Sequence, residues 1–283
     1  MRWVVSGAAG MLGRDMVERL EGEGEVVRAL RREDLDVTDA QACRRAVADA
    51  DVVVGCAAWT AVDDAEDREA DAFAVNATGA HNLATAAAAA GALMVQVSTD
   101  YVFAGDAGAP YAEDAALAPR SAYGRTKAAG EWAVRSAGGR HLVLRTAWLY
   151  GAGGRCFPRT IARAAAGRDH LDVIDDQTGQ PTWTLDVADL TVRLVRAQAP
   201  SGAYHATSGG RASWFELARA VVAAAGHDPA MVRPTDSASY GARAPRPAWS
   251  VLGHDALHAL GVEPIGDWRE RWAAAADEVL AAG

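Results

Sequence analysis

Lysine is almost missing from this 283-residue chain: 27 of its 28 cationic side chains are arginine, and the one lysine is Lys127. A compact ammonium therefore stands at one position only, and a planar guanidinium that never loses its proton is not its equivalent. Cysteine is scarce as well. Cys43, Cys56 and Cys156 are odd in number and widely spaced, which fits neither a disulfide framework nor a CxxC metal site and favours a reducing cytoplasm. Excess positive charge is absent. With 28 Lys+Arg against 37 Asp+Glu, the net charge of −9 argues against a nucleic-acid partner. Long hydrophobic runs are missing too. The longest, Leu83 to Val97, is alanine-rich and broken by Gly91 and Gln96, so it reads as a helix end followed by a strand and not as a membrane span. Met1-Arg2 leads straight into Trp3-Val4-Val5, too short a run for a signal-peptide core. What is present, 50% hydrophobic and 23% charged residues, is the composition of a globular protein with ample core volume.

Short apolar runs alternate with alanine-rich segments of helical periodicity. Strands are expected at Trp3–Ser6, Glu25–Leu30, Val52–Gly55, Leu93–Ser98 and His141–Thr146, and helices at Met11–Glu21, Ala40–Ala48, Asp67–Ala90 and Ala122–Ala137. This alternation predicts βαβ units and a doubly wound parallel sheet of the Rossmann type. The strand segments are apolar without alternation, as strands covered on both faces should be. Past Thr146 the texture becomes mixed and loop-rich. Helices are expected at Phe157–Ala166, Asp186–Ala199 and Trp268–Leu280, with strands at Leu171–Ile174 and Gly202–Ala206. Ser213-Trp214-Phe215-Glu216 has the capping-box pattern for a helix running to Ala225. Residues 1–150 therefore form a nucleotide-binding domain, to which 186–206 returns. Residues 151–185 and 207–283 form a smaller mixed α/β domain for substrate.

Ser6-Gly7-Ala8-Ala9-Gly10-Met11-Leu12-Gly13 follows the first strand and opens the first helix. Glycines there permit a tight turn and let backbone amides approach a pyrophosphate, which the helix N-terminus attracts. The spacing is GxxGxxG, one residue longer than the GxGxxG fingerprint. A plain glycine turn is the alternative. Arg31-Arg32 follow the second strand, where a carboxylate would bind the ribose diol of NAD and arginines suit a 2′-phosphate. NADPH is thus favoured over NADH, although Glu33-Asp34 next to them also suit a solvated turn. Asp36-Val37 are placed to contact the adenine.

Tyr123-Gly124-Arg125-Thr126-Lys127 begins a helix, and its four-residue spacing puts phenol and ammonium on one face. A phenol is a poor acid or base at neutral pH, and a neighbouring ammonium favours its ionised form. A third member, a hydroxyl, is expected at a strand end. Ser98-Thr99-Asp100-Tyr101 stands there, at the carboxyl edge where open α/β sheets hold ligands.

These residues resemble the extended short-chain dehydrogenase/reductase superfamily, and more closely the dTDP-4-dehydrorhamnose reductase family. The resemblance runs through Ala57–Glu66, Ser98–Phe103, Tyr123-Gly124 with Thr126-Lys127, and Arg145–Trp148 with Tyr150. It continues through Asp176–Thr182, Tyr240, Arg246-Pro247 and Ser250, and so spans essentially the whole chain. It implies that Thr99, Tyr123 and Lys127 form the catalytic triad. It implies that Ala57-Ala58 lie along the cofactor with Thr60 and Asn76 nearby, and that Asp100, Tyr101 and Trp148 line the sugar pocket. The Gln177–Thr182 and Arg246 regions would face the nucleotide diphosphate. The implied activity is NADPH-dependent reduction of the C4 ketone of a dTDP-linked 4-keto-6-deoxy sugar.

The chain departs from the family at several places. Gly55-Cys56 replaces the usual Asn-Ala, Cys156 replaces an Asn and Val251 an Arg. The glutamates that bridge magnesium between subunits in some members correspond to Asp15 and Leu185, so no metal site is expected and the chain is a monomer or homodimer. The nearest rival is a related 4-ketoreductase of an antibiotic deoxysugar pathway, similar to dihydrostreptose synthase. A 4,6-dehydratase would carry Asp-Glu after the threonine, where Asp100-Tyr101 stand. A cofactor-binding regulatory subunit is the non-enzymatic alternative, against which the intact Thr99–Tyr123–Lys127 set argues.

Overall fold

The computed structural model describes residues 1–281. Strand β1 (Arg2–Ser6), helix α1 (Met11–Gly22) and β2 (Val26–Leu30) open the chain, followed by α2 (Ala40–Val47) and β3 (Val52–Gly55). Two short helices, α3 (Val62–Ala65) and α4 (Glu69–Phe73), pass through a π-helical turn at Ala74–Gly79 into α5 (Ala80–Ala90). Strand β4 (Leu93–Thr99) ends in a 3-10 turn, Asp100–Val102, and α6 (Ala122–Ser136) leads to β5 (His141–Thr146). Beyond it come β6 (Leu149–Tyr150), α7 (Phe157–Ala165), β7 (Leu171–Ile174), β8 (Thr178–Gly179), β9 (Thr182–Trp183), α8 (Thr184–Arg196) and β10 (Gly202–His205). The chain continues through β11 (Ser208–Gly209), β12 (Ala212–Ser213), α9 (Trp214–Ala224), β13 (Val232–Thr235) and α10 (Ser237–Tyr240). It closes with α11 (Asp255–Leu260), β14 (Ile265–Asp267) and α12 (Trp268–Ala281).

One six-stranded sheet dominates, in the order β2-β1-β3-β4-β5-β10, and every neighbouring pair in it is parallel. Its strands alternate their side chains between two helical layers. Trp3, Val5, Val54, Val95 and Leu144 face Leu12, Met16 and Leu20 of α1 and Val187, Leu190 and Leu194 of α8. Val4, Val53, Met94 and Val143 face Cys43 and Val47 of α2, Leu83 and Ala87 of α5 and Val134 of α6. Because both faces are covered, these strands carry no polar alternation, and each buried aliphatic side chain contributes about 1.5–3 kcal/mol. A separate core joins α7, α9 and α12 through Ile161, Leu217, Val221, Trp268 and Trp272, with Tyr150 and Trp183 beneath. The capping box expected at Ser213 and Glu216 starts α9. Among the described residues, no helix is long and apolar enough to cross a membrane.

The single helix expected over Asp67–Ala90 is instead three pieces, α4, the π turn and α5. The cause lies in the loop after β3. Asn76, in the π turn, accepts from the Trp59 amide at 2.9 Å and donates to the Trp59 carbonyl at 3.1 Å, satisfying two loop backbone groups that no strand partner reaches. The wider turn rotates Asn76 inward to make this clamp, a frequent use of π turns. Helix α6 crosses here at Gly130, where any Cβ would collide with the Asn76 carbonyl. The two-residue strands β6, β8, β9, β11 and β12 were not expected either. They are too short to show a period and exist only through their partners.

Candidate active site

The strand order reverses between β1 and β3, and ligand crevices of parallel sheets open at such switch points. Gly7 turns there with φ of +68°, and a Cβ on it would stand 2.6 Å from the Ala57 amide nitrogen. Only glycine lets the two loops meet this closely. Gly10 caps α1, whose first turn, Met11, Leu12 and Gly13, contains no acidic side chain. Its leading amides are free to face an anion. Gly13 packs on the Gly7 carbonyl with no room for a Cβ.

Beyond β2, Arg31 and Arg32 are exposed, with Arg31 3.8 Å from Glu33. The Asp36 carboxylate is taken up by Thr38, accepting from its amide and its hydroxyl at 2.9 and 2.8 Å. The Val37 side chain lies in the core against Gly79, and its carbonyl accepts from the Asn82 side chain at 3.0 Å, so the structure does not present this residue's side chain to a ligand. Ala57 and Ala58 are half-buried after β3 and Thr60 is exposed. Asn76 is 2% exposed, and its amide is spent on Trp59 and on the Thr126 hydroxyl at 3.0 Å. It shapes the crevice wall from within.

Thr99 ends β4, while Tyr123 and Lys127 lie on the first turns of α6, which Ser121 caps by accepting from the Gly124 amide at 3.1 Å. All three therefore lie at the carboxyl edge of β4, with Tyr123 and Lys127 one turn apart on α6. Burial pushes the Tyr123 phenol above its ordinary pKa, and the nearby Thr99 hydroxyl opposes the shift. The Thr99 hydroxyl donates to Asp100 at 2.9 Å. Lys127 is 4% exposed and donates to the Val97 carbonyl at 2.6 Å. Burial pulls its ammonium down to about 8, against the field of Glu131. Cys56, next to it after β3, is pushed up to about 12 by burial and remains a neutral thiol.

Around this set, the Tyr101 ring meets Tyr123 edge-on, with centroids 5.6 Å apart. Burial raises the Asp100 carboxyl to about 6, opposed by the nearby Ser250 and by the hydrogen bond from Thr99. Arg246 reaches in from the C-terminal half, donating to Asp63 at 2.6 Å, and the Ala244 amide donates to the same carboxylate at 3.0 Å. The Nη1 of Arg246 is buried without a hydrogen-bond partner, an unmet donor of the kind an anionic ligand satisfies. Trp148 adopts φ of +46°, an uncommon conformation for a bulky residue that a packed surround must enforce. That surround is Trp214, stacked on it at 3.6 Å, and Gly179, where a Cβ would collide with the Trp148 ring. Gln177 accepts from the Trp214 indole at 3.1 Å and donates to Ser237 at 2.8 Å. It therefore buttresses the aromatic stack.

Four buried polar residues stand behind the set: Ser98 and Arg145 belong to quoted motifs but were assigned no role from sequence, and Glu131 and His205 were not singled out. Glu131 stands four residues after Lys127, a spacing that puts it on the Tyr123–Lys127 face, and this was the available signal.

A parallel sheet with a glycine cradle at its switch point and a Thr–Tyr–Lys set beside it define a short-chain dehydrogenase/reductase fold. A family model described as the RmlD substrate binding domain matches residues 1–281, and the chain belongs to that family. It is 50% identical to a probable dTDP-4,6-dihydroxy-2-methyloxan-3-one 4-ketoreductase of Streptomyces antibioticus, covering 100% of this chain and 97% of the relative. It is 49% identical to a dTDP-4-dehydrorhamnose reductase of Streptomyces griseus, over 95% and 90% of the two chains. The crystal structure of a dTDP-4-dehydrorhamnose reductase from Bacillus anthracis in complex with NADP is similar with a TM-score of 0.94 and 34% identity, over 98% and 99% of the chains.

Proposed function

We propose that the protein reduces the C4 ketone of a dTDP-linked 4-keto-6-deoxy sugar with NADPH, as a dTDP-4-dehydrorhamnose reductase. The observation that carries this reading is the assembly of Thr99, Tyr123 and Lys127 at the sheet's carboxyl edge, beside the Gly7–Gly13 cradle. The cradle fits a dinucleotide: glycines keep it open, the α1 amides face the pyrophosphate, and Arg31 and Arg32 suit a 2′-phosphate. NADH fits more weakly. When bound, NADPH supplies the hydride for the carbonyl carbon.

The chain's own residues do the rest. Tyr123, kept protonated by burial, gives its proton to the carbonyl oxygen as general acid. Thr99 turns its hydroxyl from Asp100 to the same oxygen and stabilises the charge developing there. The Lys127 ammonium stabilises the phenolate left behind. Asp100, Tyr101 and Trp148 hold the sugar, and the unmet Nη1 of Arg246 takes a diphosphate oxygen. On this reading, residues 1–150 with 186–206 hold the cofactor, and 151–185 with 207–283 hold the nucleotide sugar. On the same reading the enzyme works in the cytoplasm, a reducing setting that three unpaired cysteines support, as a monomer or homodimer.

The resemblance to the Streptomyces antibioticus relative favours a second reading of the same chemistry, a 4-ketoreductase acting on a further-deoxygenated dTDP sugar. Oxidation of NADPH with a panel of dTDP-4-keto sugars separates the two. Tyr123→Phe and Lys127→Arg should each abolish most turnover with any of them. A wild-type protein that oxidises NADPH with none would sink both readings.

A further inference from the structure

Tyr123, Lys127 and Glu131 occupy successive turns of one face of α6. Glu131 is 1% exposed, and so is Arg145 on β5, its ion-pair partner. Arg145 grips the carboxylate with two parallel bonds of 2.9 Å, from Nε to Oε1 and from Nη2 to Oε2. The Ser98 hydroxyl on β4 adds a third, at 2.6 Å, and Arg135 approaches from the same helix at 3.5 Å. The remaining Arg145 nitrogen, Nη1, donates to the Glu113 carbonyl at 2.8 Å and faces His205 Nε2 at 3.3 Å. The other His205 nitrogen lies 2.8 Å from the Gly253 carbonyl, so it carries the proton and Nε2 accepts.

Two members stand at the strand ends that carry the catalytic edge: Ser98 precedes Thr99, and Arg145 precedes Thr146, whose hydroxyl donates to the Ser98 carbonyl at 3.1 Å. One carboxylate thus ties the helix bearing Tyr123 and Lys127 to both strands at the catalytic edge. A buried ion pair is a weak source of stability, because hydrophobic side chains of similar volume often do as well. A second reason for a carboxylate here is Lys127, itself buried one turn away. The groups facing its ammonium are the Val97 carbonyl from β4, Cys56 from the loop after β3, and Glu131 from its own helix. Cys56 is neutral there. Glu131 therefore supplies the negative charge between two buried cations, Lys127 and Arg145.

We propose that Glu131 is a positioning residue for the reduction: its carboxylate fixes α6 against β4 and β5 and sets a negative charge one turn from the Lys127 ammonium. The inference rests on the reductase reading for its catalytic meaning, but the Glu131–Lys127 coupling is measurable without substrate. Because Lys127 is the only lysine, 13C-lysine labelling gives a single side-chain resonance whose pH titration reports this ammonium alone. Wild type should titrate near 8. Glu131→Gln should titrate at least about one pH unit lower, and Glu131→Asp, which keeps the charge but withdraws it, between the two. In steady-state assays the alkaline limb of kcat should move down by the same interval, so that Glu131→Gln recovers activity toward pH 6. A merely structural role would lower activity equally at every pH.

If Glu131→Gln does not fold, Glu131→Asp decides. A lysine that titrates as in wild type, in whichever variant folds, overturns the proposal. A wild-type protein that reduces no keto sugar while its lysine shifts as expected would refute the reductase reading and leave the coupling intact.

Discussion

Replacing Gly7 with alanine should impose two costs that can be measured apart. The first is conformational: φ is +68°, and a non-glycine residue held in the left-handed region loses about 1–2 kcal/mol. The second is steric. The new Cβ would sit 2.6 Å from the Ala57 nitrogen and 2.8 Å from its Cα, all backbone, where ordinary contact begins at 3.4 Å. The β1 and β3 loops must therefore part by about 0.8 Å, and overpacking of this kind costs about 1–3 kcal/mol. Gly91→Ala isolates the first cost, since Gly91 has φ of +71° and an added Cβ there would meet nothing within 4 Å. Urea unfolding should show Gly91→Ala losing about 1 kcal/mol and Gly7→Ala roughly 2–5 kcal/mol. Parting the loops also moves the Ala57 backbone along the proposed cofactor, so KM for NADPH should rise on the order of tenfold. Equal losses in the two variants, with KM unchanged, would show that the loops separate freely and would refute the close-approach argument for the cradle.

The double substitution of Arg31 and Arg32 by alanine should raise KM for NADPH about tenfold, the effect being limited by solvent exposure, and leave KM for NADH nearly unchanged. Parallel losses with both cofactors would remove these arginines from 2′-phosphate recognition. The pH dependence of stability follows from His205, which burial, helped by Arg145, holds down to about 3 from 6.5. Between these values the unfolded chain binds a proton that the folded protein refuses, so stability falls as pH drops below about 6.5, at up to ~1.4 kcal/mol per unit. Asp100, raised to about 6 from 3.8, acts in the opposite sense over its own window. Thermal melts from pH 7 to 4 should therefore fall more steeply for wild type than for His205→Asn, and parallel slopes would contradict the assignment.

Much of this arrangement is legible in the sequence. The apolar strands declare a sheet covered on both faces, because burial on two sides removes the polar alternation. The glycine spacing and the Tyr–Lys interval are local signals, written within eight and five consecutive residues. The π turn at Ala74–Gly79 is hidden, because alanine-rich sequence has high helical propensity throughout and the residue that Asn76 clamps, Trp59, lies 17 positions away. The Trp148–Trp214 stack joins residues far apart in the chain, which periodicity does not report. Glu131 is concealed for a different reason. A glutamate on a helix is ordinarily solvated; its place four residues after Lys127 is a faint signal, and the burial of its partner Arg145, on a strand of the central sheet, shows that this one faces inward.

Transfer of deuterium tests the central claim most directly. NADPH carrying deuterium at the hydride position of its nicotinamide ring, incubated with the protein and a dTDP-4-keto-6-deoxyhexose, should yield a sugar with a single deuterium at C4, read by NMR. The Lys127→Arg protein, which keeps the positive charge, should yield almost none. A product without deuterium at C4, or turnover that proceeds with no NADPH supplied, would contradict the account.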